Sequence, residues 1–320
     1  MITKTPFASS SHPSAARFRI TNAAGDFAEI IEYGARVSRI CVSGRDLCLR
    51  YETAEEYERD PFYLGAAVGR AANRIRGAAF PLNGETVRLQ PNEGPNLLHG
   101  GAVNFSTALW TGEPAGEDAV RFRLTIEDDG FPGRLDAAVT YSWTDDGVLG
   151  ILFEGRSDAD TVFSPTNHTY FNLSGDFSTP VSDHIVEIRS EAYLPVDEEH
   201  IPSGAAAPVG GTPFDFRAPR EIGPGGYDHH FVCSGEPGTL RTLAEAYSPA
   251  SGMRLTCRSD LPGLQFYTGD YLTGFAPRSG FCFEAQFAPD VLNREDEPKP
   301  LLRAGGTVRY RTEYSISTRG

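Results

Sequence analysis

Apolar and polar residues alternate along this chain in short runs, and turn residues cut the runs apart. Residues 17–21, 29–33 and 37–42 alternate in this way, as do 120–127, 135–143 and 148–156. A period of two sets one face against a core and the other toward water, so these runs predict half-buried strands. Runs at 184–190, 253–259, 264–268, 281–286 and 307–317 fit the same reading. Asn83-Gly84 joins 80–82 to 85–89 and takes the positive φ angles of a tight type I′ turn, which predicts a hairpin. A second hairpin joins 135–143 to 148–156. One helix is predicted: Thr53 with Glu56 three residues later is a capping-box pattern that opens residues 54–59. Residues 202–227, rich in Gly, Pro and Ala, predict an ordered surface loop, because strand patterns continue on both sides. So many short strands at close spacing predict an all-β fold, a large antiparallel β-sandwich with little helix. The expected organisation is a single domain over residues 1–320, with 1–14 an irregular N-terminal segment.

Composition narrows the function classes. A chain of 320 residues buries roughly 75% of its unfolded surface, so no metal or disulfide is required to hold it together. No run approaches the roughly 20 apolar residues of a membrane span. With 29 Lys and Arg against 43 Asp and Glu the net charge is −14, which argues against nucleic acid and anionic membranes as partners. The first ten residues lack the apolar core of a signal peptide. The five cysteines are scattered with no Cys-x-x-Cys, so free thiols in a reducing compartment are expected. Sequons occur at Asn104, Asn167 and Asn172, and a glycan on either of the last two would block the tract described next. A cytoplasmic location is the expectation.

Three tracts carry candidate chemistry. In Asn-His-Thr-Tyr-Phe-Asn (167–172), His168, Tyr170 and Asn172 would share one face of a strand, and three polar groups on one face suit a ligand surface better than a core. The His168 imidazole titrates near neutrality, so it can give or take a proton. In Leu-Leu-His-Gly-Gly (97–101), Gly100 and Gly101 let backbone approach closely beside His99. In Gly-Phe-Cys-Phe-Glu-Ala-Gln (280–286), Glu284 interrupts an apolar run, where a carboxylate is costly unless paired, and partial burial would make it a better base. Arg74, in Gly-Arg-Ala-Ala-Asn-Arg-Ile (69–75), can donate paired hydrogen bonds to ligand oxygens. Asp228-His229-His230 is poorly spaced for a metal, since adjacent strand residues point to opposite faces and no third ligand is evident. Asp228 reads instead as an acceptor for ligand hydroxyls, and Gln265 adds an amide on another strand-like run.

Taken in order, the tracts at 69–75, 83–85, 94–101, 166–175, 227–231, 262–269 and 283–290 resemble the aldose 1-epimerase (galactose mutarotase) family. The resemblance covers the chain from about residue 15. It implies a galactose mutarotase-like supersandwich whose concave face holds a free monosaccharide, with no cofactor and no metal. It implies Glu284 as catalytic base and His168 as catalytic acid, and it places Asn73, Arg74, His99, Asp228 and Gln265 at sugar-binding positions. Tyr170 lies in the tract that follows the histidine and joins the substrate-binding set. Many members carry Asn-Trp after the Glu-x-Gln, where this chain has Phe287-Ala288, a difference at the expected pocket rim. The implied reaction removes the proton of the C1 hydroxyl while protonating the ring oxygen. The ring opens, the aldehyde turns, and closure from the other face reverses the roles. Activity is expected to fall at low pH as Glu284 protonates and at high pH as His168 loses its proton. The competing readings are a glycoside hydrolase using Asp228 and Glu284, a sugar-binding module without catalysis, and a hexose 6-phosphate epimerase with Arg70, Arg74 and Arg76 near the phosphate. A monomer or a homodimer is expected.

Overall fold

The computed structural model describes residues 1–101, 103–295 and 297–318; positions 319 and 320 of the expected domain fall outside it. Strand accounts for 45% of it and helix for 5%, as the alternating runs predict. A nine-stranded antiparallel sheet is the largest layer. Its order is Thr111–Pro114, Ala119–Ile126, Leu135–Trp143, Val148–Ser157, Thr307–Thr318, Met253–Ser259, Arg241–Tyr247, Ile185–Ile188 and Arg220–Glu221. A five-stranded sheet, called the middle sheet, runs Ala207–Pro208, Ser190–Tyr193, Asp228–Cys233, Gly263–Tyr267 and Cys282–Gln286. A second five-stranded sheet is built from the first strands of the chain in sequence order, Ile2–Pro6 through Arg45–Asp46.

The layers meet on apolar faces. Phe231, Phe266 and Phe283 turn away from the polar side of the middle sheet, and Phe266 contacts Phe283 at 5.6 Å between ring centroids. Tyr314, on the nine-stranded sheet, packs on Phe171 at 5.0 Å and donates its hydroxyl to the Phe283 carbonyl at 2.6 Å. Tyr141 of the same sheet donates to the Ala35 carbonyl at 2.7 Å. Burying each aromatic ring contributes about 1.5–3 kcal/mol, and the two hydroxyls fix how the layers slide past one another.

The predicted hairpin forms with Asn83 and Gly84 at φ 53° and 84°, so both central residues take the positive φ that type I′ demands. The helix forms over Ala54–Glu58; Thr53 accepts from the Glu56 backbone N–H, and the Glu56 carboxylate accepts from that of Thr53. Three expectations need correction. Within 1–14, Ile2–Pro6 is a strand paired with Ala16–Thr21; its side chains are mostly exposed, so pairing rather than an apolar face makes it a strand. The 184–190 run is two strands, Ile185–Ile188 and Ser190–Tyr193, in two different sheets. The 202–227 segment is more than surface: it contributes two short strands, and Val209, Phe216, Ile222 and Tyr227 are buried.

Candidate active site

The middle sheet explains why a carboxylate sits in an apolar run. All five residues of Cys282–Gln286 are buried, and alternation sends Phe283 and Ala285 to the core and Cys282, Glu284 and Gln286 to the opposite face. Directly paired residues share that face: Glu284 lies opposite Gln265, which lies opposite His230, and Cys282 lies opposite Tyr267, which lies opposite Asp228. The Gln265 amide donates to Asp228 Oδ1 at 2.6 Å, which aims both side chains. Glu284 Oε2 and Gln265 Oε1 are buried with no partner among the described residues, and Glu284 lines the pocket.

His168 comes from a different segment. The short strand Thr166–Asn167 pairs with Ala67–Val68, and His168 continues the pairing through its N–H to the Ala66 carbonyl at 2.9 Å. Its Nε2 stands 3.7 Å from Glu284 Oε1, and Cys282 Sγ lies 3.5 Å from its Nδ1. Tyr170 packs its ring at 4.9 Å and spends its hydroxyl on the Phe62 carbonyl at 3.0 Å, so it forms wall rather than offering a free hydrogen bond. The expected shared strand face does not form: residues 168–170 are outside any strand, and Asn172 turns inward to bond the carbonyls of Asp176 and Ser279. Asn104, Asn167 and Asn172 are all buried, so no sequon is open to a glycan in this fold.

His99 and Asn73 hold each other. The Asn73 N–H donates to His99 Nδ1 at 3.1 Å, and the His99 N–H donates to the Asn73 carbonyl at 3.1 Å. The His99 proton is thereby left on Nε2, a donor. Gly100, at φ 90°, makes this approach possible, since a Cβ there would lie 2.2 Å from the Gly69 carbonyl oxygen. Arg74 grips Glu93 through Nε and Nη2 at 2.7 and 2.8 Å, a bidentate clamp that fixes the guanidinium beside the cavity. The cavity measures about 410 Å³ and takes in every predicted site residue except Gln265, whose amide donates to Asp228 behind the lining. That volume lies in the range of small-molecule sites.

Burial sets the electrostatics. The Glu284 carboxyl is pushed well above its usual value, first by desolvation and then by Asp228, with Arg74 opposing. The His168 imidazole is pulled down to about 4, first by desolvation, against hydrogen bonding to its own backbone carbonyl. His99 falls well below 6.5, first by desolvation, then by His168 and Arg74. Burial thus moves the two groups in opposite directions, the carboxyl up and the imidazole down, each toward its uncharged form.

Residues that local sequence did not single out complete the pocket. Tyr63 stands edge-on to His99 at 4.5 Å between centroids and over His168 at 6.0 Å. Tyr271 reaches across the mouth to His200, hydroxyl to Nε2 at 3.1 Å. Tyr267 was findable, because it stands two residues beyond Gln265 on one strand; nothing near Tyr63 or Glu93 in sequence announces their partners. Two arginines of the phosphate reading turn elsewhere. Arg70 is buried against Asp129 at 2.9 Å, and Arg76 pairs with Asp197 and Glu199. His168, Cys282 and Glu284 cluster closely enough to suggest a metal. The imidazole, however, turns Nδ1 to the thiol and Nε2 to the carboxylate, so one ion would meet only one of them in line with a ring nitrogen.

Comparison with known proteins gives a consistent result. The family profile described as Aldose 1-epimerase matches residues 16–315. The galactose mutarotase of Rattus norvegicus is 38% identical over 312 residues, 90% of either chain. The aldose 1-epimerase of Escherichia coli (strain K12) is 34% identical over 325 residues, 93% of this chain and 94% of that one. The crystal structure of galactose 1-epimerase from Lactobacillus acidophilus NCFM superposes with a TM-score of 0.90 at 26% identity, over 100% of this chain and 99% of that one.

Proposed function

The chain belongs to the aldose 1-epimerase family, and from that premise we propose how its pocket interconverts the α and β anomers of a free aldose. The activity is an isomerase reaction on a sugar. Glu284 is the proposed base and His168 the proposed acid. The observation that supports this most is their facing pair of atoms, Oε1 and Nε2, 3.7 Å apart on the cavity floor. The two oxygens that exchange protons in the reaction, the C1 hydroxyl and the ring oxygen, are bonded to the same carbon. A carboxyl group and an imidazole at that separation, with one proton between them, meet both at once.

In the forward step, taken from the form of the pair that carries its one proton on His168 Nε2, Glu284 accepts the C1 hydroxyl proton, the C1–O5 bond breaks, and O5 takes the proton from His168 Nε2. The aldehyde turns about C1–C2. In the return step O5 attacks the other face of C1, its proton goes back to His168, and Glu284 protonates the new hydroxyl. The pair ends as it began, so no proton leaves the site. The His99 Nε2–H, the Arg74 guanidinium, Asn73 and the Asp228–Gln265 pair are the proposed holders of the remaining hydroxyls, with Tyr170 and Tyr63 as walls. Galactose and glucose are the proposed substrates, by analogy with the relatives named galactose mutarotase. No helix among the described residues is long and apolar enough to cross a membrane; we place the enzyme in the cytoplasm, acting as one domain over residues 1–320. Polarimetry of freshly dissolved α-anomers of several aldoses tests this reading. Optical rotation should decay faster with protein than without, and an unchanged decay for every sugar would defeat it.

A further inference from the structure

One strand holds the proposed acid at both ring nitrogens. Cys282 and Glu284 leave the same face of Cys282–Gln286, and the sulfur meets His168 Nδ1 at 3.5 Å while the carboxylate meets Nε2 at 3.7 Å. We propose that Cys282 is a positioning residue for the epimerase reaction: its sulfur accepts the Nδ1–H of His168, so the ring keeps one orientation and only the Nε2 proton travels to the sugar.

The chemistry of the donor set favours this arrangement. An imidazolium carries two N–H donors, and a buried donor without an acceptor is costly. Tyr63 and Tyr170 meet the ring as aromatic neighbours, and among the described residues Cys282 is the side chain at hydrogen-bond distance from Nδ1, alongside the ring's bond to its own backbone carbonyl. Burial first, then Glu284 and Asp228, push the thiol well above 9, so the sulfur stays uncharged. Charge is the point of difference. A carboxylate at Nδ1 would favour the imidazolium and make His168 a weaker acid; a neutral sulfur orients the ring and leaves its acidity intact. A sugar ring oxygen is a poor base and needs a strong acid.

The inference rests on His168 being the acid, so the test reads the contact and the reaction separately. Nitrogen-15 spectra of the sugar-free protein report which ring nitrogen of His168 carries the proton; polarimetry reports kcat and KM. Wild type should hold the neutral-ring proton on Nδ1. Cys282→Ala should give a mixture of tautomers and lower kcat about tenfold, the lower end of what orienting partners contribute, with KM within about twofold. Cys282→Ser, which restores an acceptor, should recover the Nδ1–H tautomer and most of kcat. Cys282→Asp should raise the pH at which the imidazole titrates and lower kcat. A Cys282→Ala protein with the wild-type tautomer and wild-type kcat overturns the proposal, as does Cys282→Ser with the wild-type tautomer and kcat as low as the alanine variant. If His168→Asn keeps full activity the acid assignment falls, while the spectra still decide whether sulfur holds Nδ1.

Discussion

A carboxyl group that burial pushes up and an imidazole that burial pulls down to about 4 face each other across 3.7 Å. These opposed shifts have a direct consequence for rate. The competent pair carries one proton, so activity falls when a second arrives or the last one leaves. With the carboxyl still neutral, the second proton binds His168 as pH falls through about 4. The last proton leaves as pH rises through the raised value of Glu284, well above 4.5. The profile of kcat/KM, which reports the free enzyme, should therefore be a broad bell with its acid limb near pH 4. An acid limb near 6.5, or a basic limb in the ordinary carboxylate range, would contradict it. Arg74 acts beside this pair with its fork already closed on Glu93. Arg74→Ala should raise KM roughly 10- to 100-fold, the worth of one or two charged hydrogen bonds, with some loss in kcat through orientation; unchanged kinetics in folded protein would remove it from the site. Glu284 and His168 were legible in the sequence because each violates its neighbourhood. The lowering of the His168 imidazole was not, because desolvation depends on what packs around a group, and no run of neighbours encodes that.

Elements were legible where the backbone is regular. The Leu135–Trp143 and Met253–Ser259 strands and the Asn83-Gly84 hairpin fall where alternation and turn chemistry predict. Arg241–Tyr247 escaped because a register shift between Thr242 and Ala244 buries Leu243 and Ala244 in succession and destroys the period of two. The turn after the helix shows how an element far from the chemistry shapes the pocket. Asp60 accepts from Arg36 Nη1 at 2.5 Å and from the backbone N–H groups of Phe62 and Leu64 at 2.9 and 2.7 Å. Both side chains of the ion pair are almost fully buried. The pair thus holds the lip that carries Tyr63 and the Phe62 carbonyl bonded by Tyr170. Asp60→Ala leaves Arg36 a buried charge without its anion, which should cost about 3–5 kcal/mol and raise KM as the lip loosens. A denaturation midpoint equal to wild type would show that the pair does not hold this turn.

At the scale of the molecule, two sheets divide the labour. The nine-stranded sheet supplies an apolar floor, and the middle sheet lies on it with its polar face toward the pocket, so Glu284 stands on a strand while His168 directly follows the short strand Thr166–Asn167. The all-β class followed from the pattern; the assignment of strands to sheets did not, because Ile185–Ile188 and Ser190–Tyr193 look continuous in sequence and part company at Arg189. The arrangement makes one variant decisive. Glu284→Gln preserves shape and burial and removes only the capacity to accept the C1 proton, so the protein should fold, melt no lower than wild type and bind sugar. Calorimetric titration should show binding, while polarimetry should show mutarotation slowed by about 10²- to 10⁴-fold relative to wild type, the usual worth of a general base. A folded, sugar-binding Glu284→Gln protein that accelerates mutarotation at the wild-type rate would contradict the account at its centre.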